Sequence, residues 1–424
     1  MIRSTIVARP WKTIVAGLAV VLTVAAGAGA VVFWPEAEEP AAADLPPRRP
    51  LTPFEAALGV LQAQAAALEK GDEKGWLAPV DTAQPKLIAK YRTIFRNLRG
   101  LDVGHVEYHA DPQEDSTVVL ASLGYCFKGA VCPEWRSGDG HGPPKLEQEV
   151  TFALRDGRYV LTGMTPAKRD RNLKSPPWES QTLHFARGAR VVVAGPSSQR
   201  KHLKRILKVA EKAAAVTDRF AGQIGNRQGA RYRIYLADEK SWKSWYGGND
   251  MKWAIGYAIP LNAAGSDIVL RTRKVLQEKD LSVIVQHELA HVVTLGGLST
   301  RDTDDDQWLV EGIAEYIGSY PKKPQNTYSQ FVLEAAFSRH GSPRTIAAPP
   351  LTSDADDLTV AALYAMGHYA SGCIASKYGE PKLMKFADLV LRKGSKPDAA
   401  SRAVFGKPFP AVDKACLSWI KSRV

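Results

Sequence analysis

The residues best suited to chemistry are His287-Glu288-Leu289-Ala290-His291 and, further on, Glu311 within Trp308-Leu309-Val310-Glu311-Gly312-Ile313-Ala314-Glu315-Tyr316. Histidines four apart on a helix project from one face a turn apart, so both imidazoles can reach a single ion. Glu288 follows the first histidine, where its carboxylate can address a metal-bound water without occupying the metal. A catalytic zinc takes three protein ligands and keeps one position open, and Glu311 is the candidate for the third. The chemistry such a group supports is hydrolysis, with Glu288 accepting a proton from water and passing it to the leaving amine.

Two helices must position these groups. Asp280 stands where an N-cap belongs, Leu281, Ile284, Val285, Leu289 and Val292 supply apolar positions, and Gly296-Gly297 end the first helix. A second helix is predicted over about 306–317 with Gly318 as its stop, and on it Glu311 and Glu315 share a face. An H-e-x-x-H string arises by chance about once in a hundred sequences of this kind, so the helical context carries the reading.

With its downstream Trp-Leu-x-Glu-Gly-x-Ala-Glu-Tyr, the motif resembles the gluzincin zinc metallopeptidases, and among them the peptidase MA-like domains. The resemblance covers about 178–424 and implies a zincin-like fold. It also implies zinc held by His287, His291 and Glu311, with Glu288 as general base. Glu315 matches a carboxylate that hydrogen-bonds a ligand histidine in some members. A Tyr-x-x-Gly-like stretch in related domains matches Leu363-Tyr364-Ala365-Met366-Gly367-His368. It makes Tyr364, and after it His368, the donor for the tetrahedral oxyanion. The chain lacks the Gly-x-Met-Glu-Asn element with which gluzincin aminopeptidases hold a free N-terminus, which points to an endopeptidase acting on peptide or protein. The alternative is a zinc-binding or substrate-binding envelope protein without turnover.

Upstream, residues 13–34 form an uncharged apolar run of twenty-two, long enough to cross a bilayer. Arg3, Arg9 and Lys12 precede it and Glu36, Glu38, Glu39 and Asp44 follow, so residues 1–12 are expected in the cytoplasm and the bulk outside. Ala28-Gly29-Ala30 resembles a signal-cleavage site, which would make the protein secreted. The run continues past it, favouring an uncleaved single-pass anchor in the cell membrane. Residues 35–52 read as a disordered linker. Four cysteines in an exported chain predict two disulfides, with Cys126–Cys132 flanking one loop and Cys373–Cys416 in the following domain. The balance of 56 basic to 44 acidic residues gives +12, but along the sequence the basic residues are scattered, and no nucleic-acid partner is expected.

The fold class expected is α+β, a zincin-like domain preceded by a small α+β module and one transmembrane helix. Over 53–172, a capping box at Thr52-Pro53-Phe54-Glu55 opens two helices, followed by strands at 103–109, 117–125, 147–154 and 158–164. That order resembles NTF2-like, cystatin-like modules. His105 and His109 read as structural. Residues 167–177 read as a linker, and 178–424 as the peptidase domain with strands at 182–185, 190–194 and 231–236 and a long helix at 199–224. Residues 267–271 read as the edge strand of their sheet, and the resemblance implies that it lies beside the cleft and pairs with extended substrate. Trp242, Trp245, Tyr246 and Trp253 form an aromatic cluster read as core, and the acidic stretch 300–306 as a solvated loop.

Overall fold

Thr52 opens the folded part. Its side chain accepts from the Glu55 N–H and the Glu55 carboxylate accepts from the Thr52 N–H at 2.8 Å, so two otherwise unsatisfied donors are met before α1 (Pro53–Lys70) begins. A computed structural model describes residues 50–424 apart from 136–141, 168–174, 227–228, 230, 249–253, 262–263, 277–279, 297–303 and 353. The apolar run 13–34, the linker up to residue 49, Trp253 and most of the acidic loop lie outside the described residues. Residues Met1–Pro50 and Leu51–Val424 are separate units, and all that follows concerns the second.

Helices α1, α2 (Glu73–Leu77) and α3 (Pro85–Gly100) pack against a four-stranded antiparallel meander of β1 (Val103–Pro112), β2 (Val118–Phe127), β3 (Lys145–Arg155) and β4 (Arg158–Pro166). The β3–β4 turn is Asp156-Gly157 with both φ positive, 47° and 74°, the backbone a tight two-residue hairpin requires. His105 Nδ1 meets Glu69 at 2.7 Å and His109 stacks on Trp135 at 3.9 Å, so each is held by a protein neighbour.

After a single-turn α4 (Pro177–Ser180), the second sheet follows: β5 (His184–Arg187), β6 (Val191–Gly195), β7 (Tyr232–Ala237), β8 (Gly256–Pro260) and β9 (Ser266–Arg271), in the order β5-β6-β7-β9-β8. Between β6 and β7 runs α5 (Leu203–Ile224), and the first turns of the predicted 199–224 helix are instead a 3-10 segment, Ser197–His202. Short helices α6 (Glu239–Trp242) and α7 (Thr272–Val275) flank β8 and β9. The stretch expected as an edge strand, β9, is interior: it pairs in parallel with β7 and antiparallel with β8. The edge beside it is β8, whose residues 256–260 pair antiparallel with 266–270 on the outer side. The all-apolar centre of β9, Ile268-Val269-Leu270, fits a strand covered on both faces.

Both faces of this sheet are indeed covered. Val191, Val193, Ile234 and Leu236 point into a core shared with α5 and α8 (Leu281–Leu295), while their neighbours Val192, Ala194, Tyr235 and Ala237 point into the core of the front helices and meander. A strand's period of two thus divides one sheet between two cores. The third core is helical, built from α9 (Gln307–Ser319), α10 (Ser329–His340), α11 (Asp357–Tyr378), α12 (Glu380–Ala387), α13 (Pro397–Phe405) and α14 (Phe409–Lys421). The disulfide Cys373–Cys416 joins α11 to α14, and Cys126–Cys132 closes the loop after β2. Among the described residues α11 alone is long and apolar enough to cross a membrane, yet 67% of its apolar window is buried in protein, as in a core helix. The molecule is a mixed α+β structure with two sheets.

Candidate metal centre

Helix α8 carries His287, Glu288 and His291, and α9 carries Glu311 and Glu315. Asp280 sits at the N-cap position of α8 but makes no side-chain cap bond. The helix is fixed from its neighbours instead: Gln286 Nε2 donates to the Ile317 carbonyl of α9 at 2.6 Å, and Asn226 Nδ2 donates to the Val293 carbonyl at 2.6 Å. Gly318 does not stop α9, which runs through it to Ser319. A Cβ there would stand 3.1 Å from His287 Cβ and 3.2 Å from the Val283 carbonyl, so glycine is what lets the two helices approach. On its far side α9 crosses α11 in the same way, since a Cβ on Gly312 would fall 2.5 Å from the Gly367 carbonyl oxygen.

This packing brings three donor atoms together. His287 Nε2 and His291 Nε2 are 3.0 Å apart, and Glu311 Oε2 lies 3.3 Å from the first and 3.4 Å from the second. A tetrahedral ion with bonds near 2.0–2.1 Å needs ligand atoms about 3.4 Å apart, so the set is spaced for one. The three side chains are 10%, 11% and 13% exposed, which leaves an approach open. Glu315 Oε1 lies 3.1 Å from His287 Nδ1, on the side of the ring away from the cluster. A carboxylate there draws the ring proton to Nδ1 and turns the Nε2 lone pair toward the shared point.

The electrostatics follow from burial beside opposite charge. Burial opposes protonation of His287, but Glu311 and Glu315 outweigh it and push its pKa well above the usual. Burial raises Glu311, yet His291 and His287 together hold it far below the ordinary carboxylate range. Such a site is strongly electronegative once the imidazoles are neutral, and a divalent cation answers that charge. Glu288 is pushed up, chiefly by burial. Its Oε2 is buried without a hydrogen-bond partner among the described residues.

Tyr364 and His368, one turn apart on α11, are placed differently. The Tyr364 ring lies over His287, centroids 5.9 Å apart and planes 20° apart, and its phenol bonds Glu311. His368 is fully buried, its Nδ1 3.0 Å from Ser329 Oγ, and burial takes its pKa down to about 4. Sealed from solvent, it is set apart from the approach left open beside the metal group. Trp242 and Trp245 are 1% exposed and belong to the core. Tyr246 donates to Asp267 at 2.5 Å.

Two features of the site went unread in the sequence. The edge strand β8 enters at Gly256, where a Cβ would stand 2.5 Å from Glu288 Oε1. Gly256-Tyr-Ala-Ile-Pro260, bounded by glycine and proline, is the signal that marks it. A recess of about 180 Å³ also adjoins the centre, walled by Glu315, Tyr364, Val283 and Val332, with Tyr328 exposed beside it.

Fold and site together define a mixed α+β protein whose His-His-Glu group is able to hold a metal ion. No family model matches the sequence and no curated protein matches it. Among solved structures the chain is similar to a two-domain M1 zinc metallopeptidase, crystallised as a mutant bound to L-arginine. The identity is 12% and the TM-score 0.35, and the match covers 64% of this chain and 58% of that one. At that score the likeness fixes neither fold nor activity.

Proposed function

We propose that this chain is a zinc-dependent metallopeptidase of gluzincin type, an endopeptidase held outside the cytoplasm by the apolar run 13–34. One observation carries the reading: His287, His291 and Glu311 converge on a point, and the adjoining Glu288 keeps a buried Oε2 without a hydrogen-bond partner among the described residues. Zinc, when bound, polarises the scissile carbonyl and acidifies water.

The remaining work falls to side chains. Glu288 takes a proton from the attacking water and delivers it to the leaving amine. Glu315 holds His287 in the tautomer that presents Nε2. Tyr364 donates its phenol proton to the developing oxyanion, a charge that in the resting site is replaced by Glu311. Among the described residues the outer edge of β8 has no strand neighbour in the sheet, so an extended substrate can add to it by main-chain hydrogen bonds. A substrate side chain then enters the recess beside Tyr364, whose Val283 and Val332 walls suit an apolar group. The front module at 53–172, proposed as NTF2-like, serves as the second wall of the catalytic sheet.

The test is Glu288→Gln. Zinc content of the purified protein should stay at one ion per chain while cleavage of a peptide library falls by about 10²–10⁴-fold, the usual size of a general-base contribution. A native protein that holds no zinc, or a variant that cleaves as well as the native one, overturns the reading.

A further inference from the structure

Read along the sequence, the basic residues look dispersed. Wound on α5, several of them fall into line. Lys204, Arg205, Lys208 and Lys212 are all exposed and, at 100° per residue, lie within an arc of about 100°. Lys201, also exposed, extends the row from the 3-10 turn that precedes the helix, for a length of about 17 Å. The row lies opposite the face on which Ile206, Ala210, Ala213 and Ala214 are buried against the sheet and α8.

What sets these five apart is the fate of every other charge on the helix. Glu211 is turned inward, accepting from the Arg190 and Val191 N–H groups at 3.0 and 2.7 Å. Asp218 is held by Arg190 at 2.7 Å and by the Tyr232 hydroxyl at 2.7 Å. Arg219 pairs with Glu380. Both acids of α5 are therefore spent on the sheet edge, and none of Lys201, Lys204, Arg205, Lys208 and Lys212 has an ion-pair partner among the described residues. A surface arranged for solubility intersperses the two signs, whereas this one holds a single sign over three turns.

We propose that this face of α5 docks on an anionic bilayer surface, its ammonium and guanidinium groups lying among lipid phosphates. Two observations select a membrane over a nucleic acid. The row is a convex helix dominated by lysine, with no exposed aromatic side chain to stack on bases. The same chain carries an uncharged run of twenty-two residues long enough to span a bilayer, so a lipid surface is the polyanion it meets. Each cation brought near an anionic leaflet strengthens binding about fivefold, and the five act together.

Flotation of the compact unit, residues 51–424, tests this with vesicles of phosphatidylcholine alone and of phosphatidylcholine and phosphatidylglycerol in equal parts. The protein should float with the anionic vesicles only and be released as salt shortens the screening length. Lys204→Gln, Lys208→Gln and Lys212→Gln should each weaken partitioning about fivefold. Reversal of Lys204, Arg205, Lys208 and Lys212 to Glu should abolish it, with an unchanged thermal midpoint because all four are exposed. If the reversal variant fails to fold, the three glutamine variants decide. Reversal of the exposed Lys382, Lys396, Lys414 and Lys421 serves as the charge-matched control and should have less effect. Equal flotation on neutral and anionic vesicles, equal loss in the control, or binding to duplex DNA without binding to vesicles overturns the assignment.

Discussion

Glu315 and Tyr364 both touch the metal group, yet their removal should show in different measurements. Glu315 acts through His287 Nδ1 at 3.1 Å, so Glu315→Gln keeps the shape and loses the charge that fixes the tautomer. Zinc affinity should fall about 10–100-fold, read by competition with a chelator. Tyr364 stacks over His287 and bonds a ligand carboxylate without supplying a donor atom to the cluster. Tyr364→Phe should leave zinc affinity within about twofold and lower kcat by about 10²–10³, the size of one lost oxyanion donor. A large loss of zinc in the tyrosine variant would move Tyr364 from catalysis to metal retention. At this scale the motif was legible because i, i+4 spacing on a helix is a local property. The separation of Tyr364 from His368 was not. Two residues one turn apart share a face, and only the neighbours decide that one lies over His287 while the other is sealed against Ser329.

Among the elements, the crossing of α9 on α11 sets where Glu311 stands. Gly312 and Gly367 meet with no room for a methyl group, and Gly312 follows Glu311 directly. Gly312→Ala forces backbone from backbone. We expect a loss of about 1–3 kcal/mol in denaturant unfolding together with reduced zinc content, because the ligand moves with the helix. An alanine variant of native stability and full zinc would show that the crossing is looser than drawn. Sequence reading located these helices by apolar period and breakers, but it assigned Gly318 as a stop when its function is to admit His287. A glycine near a helix end looks the same in either case, since the partner that needs the space lies on another helix. The reading of β9 as an edge strand failed for a like cause. A strand's apolar run tells that it is covered, and not which neighbour lies outside it.

For the molecule as a whole, the five-stranded sheet is a shared wall. Between its front face and the meander lies the buried pair Arg233 and Asp267, 6% and 0% exposed in their side chains, with Tyr246 also donating to Asp267 at 2.5 Å. The Arg233 guanidinium covers the ring of Phe127, on β2, at 4.0 Å. Asp267→Ala would strand a buried guanidinium, so we expect a loss of about 3–5 kcal/mol with the zinc ligands untouched, measured by chemical denaturation. The Cys373–Cys416 bridge closes a span of 43 positions, and its removal as Cys373→Ala with Cys416→Ala should cost about 4 kcal/mol on the loop-entropy account. If that variant unfolds at the native midpoint, the α11–α14 contacts hold the tail without it. The sequence suggested two modules with a linker. The alternation of Val191 to Ala194 between two cores makes the front module a cover for the sheet.

By itself the sequence determined which residues can hold an ion, that they sit on helices, that the front part runs from helices into four strands, and that four cysteines form two bridges. These follow from short-range rules: spacing along a helix, period two along a strand, glycine and proline at turns, and an even number of cysteines. Tertiary structure alone decided the strand order, the sealing of His368, the entry of Gly256 beside Glu288 and the row of cations on α5 without an ion-pair partner among the described residues. Each of those depends on what a residue meets across space, and that partner lies tens of positions away or, for the cations, is missing because both acids of the helix turned inward.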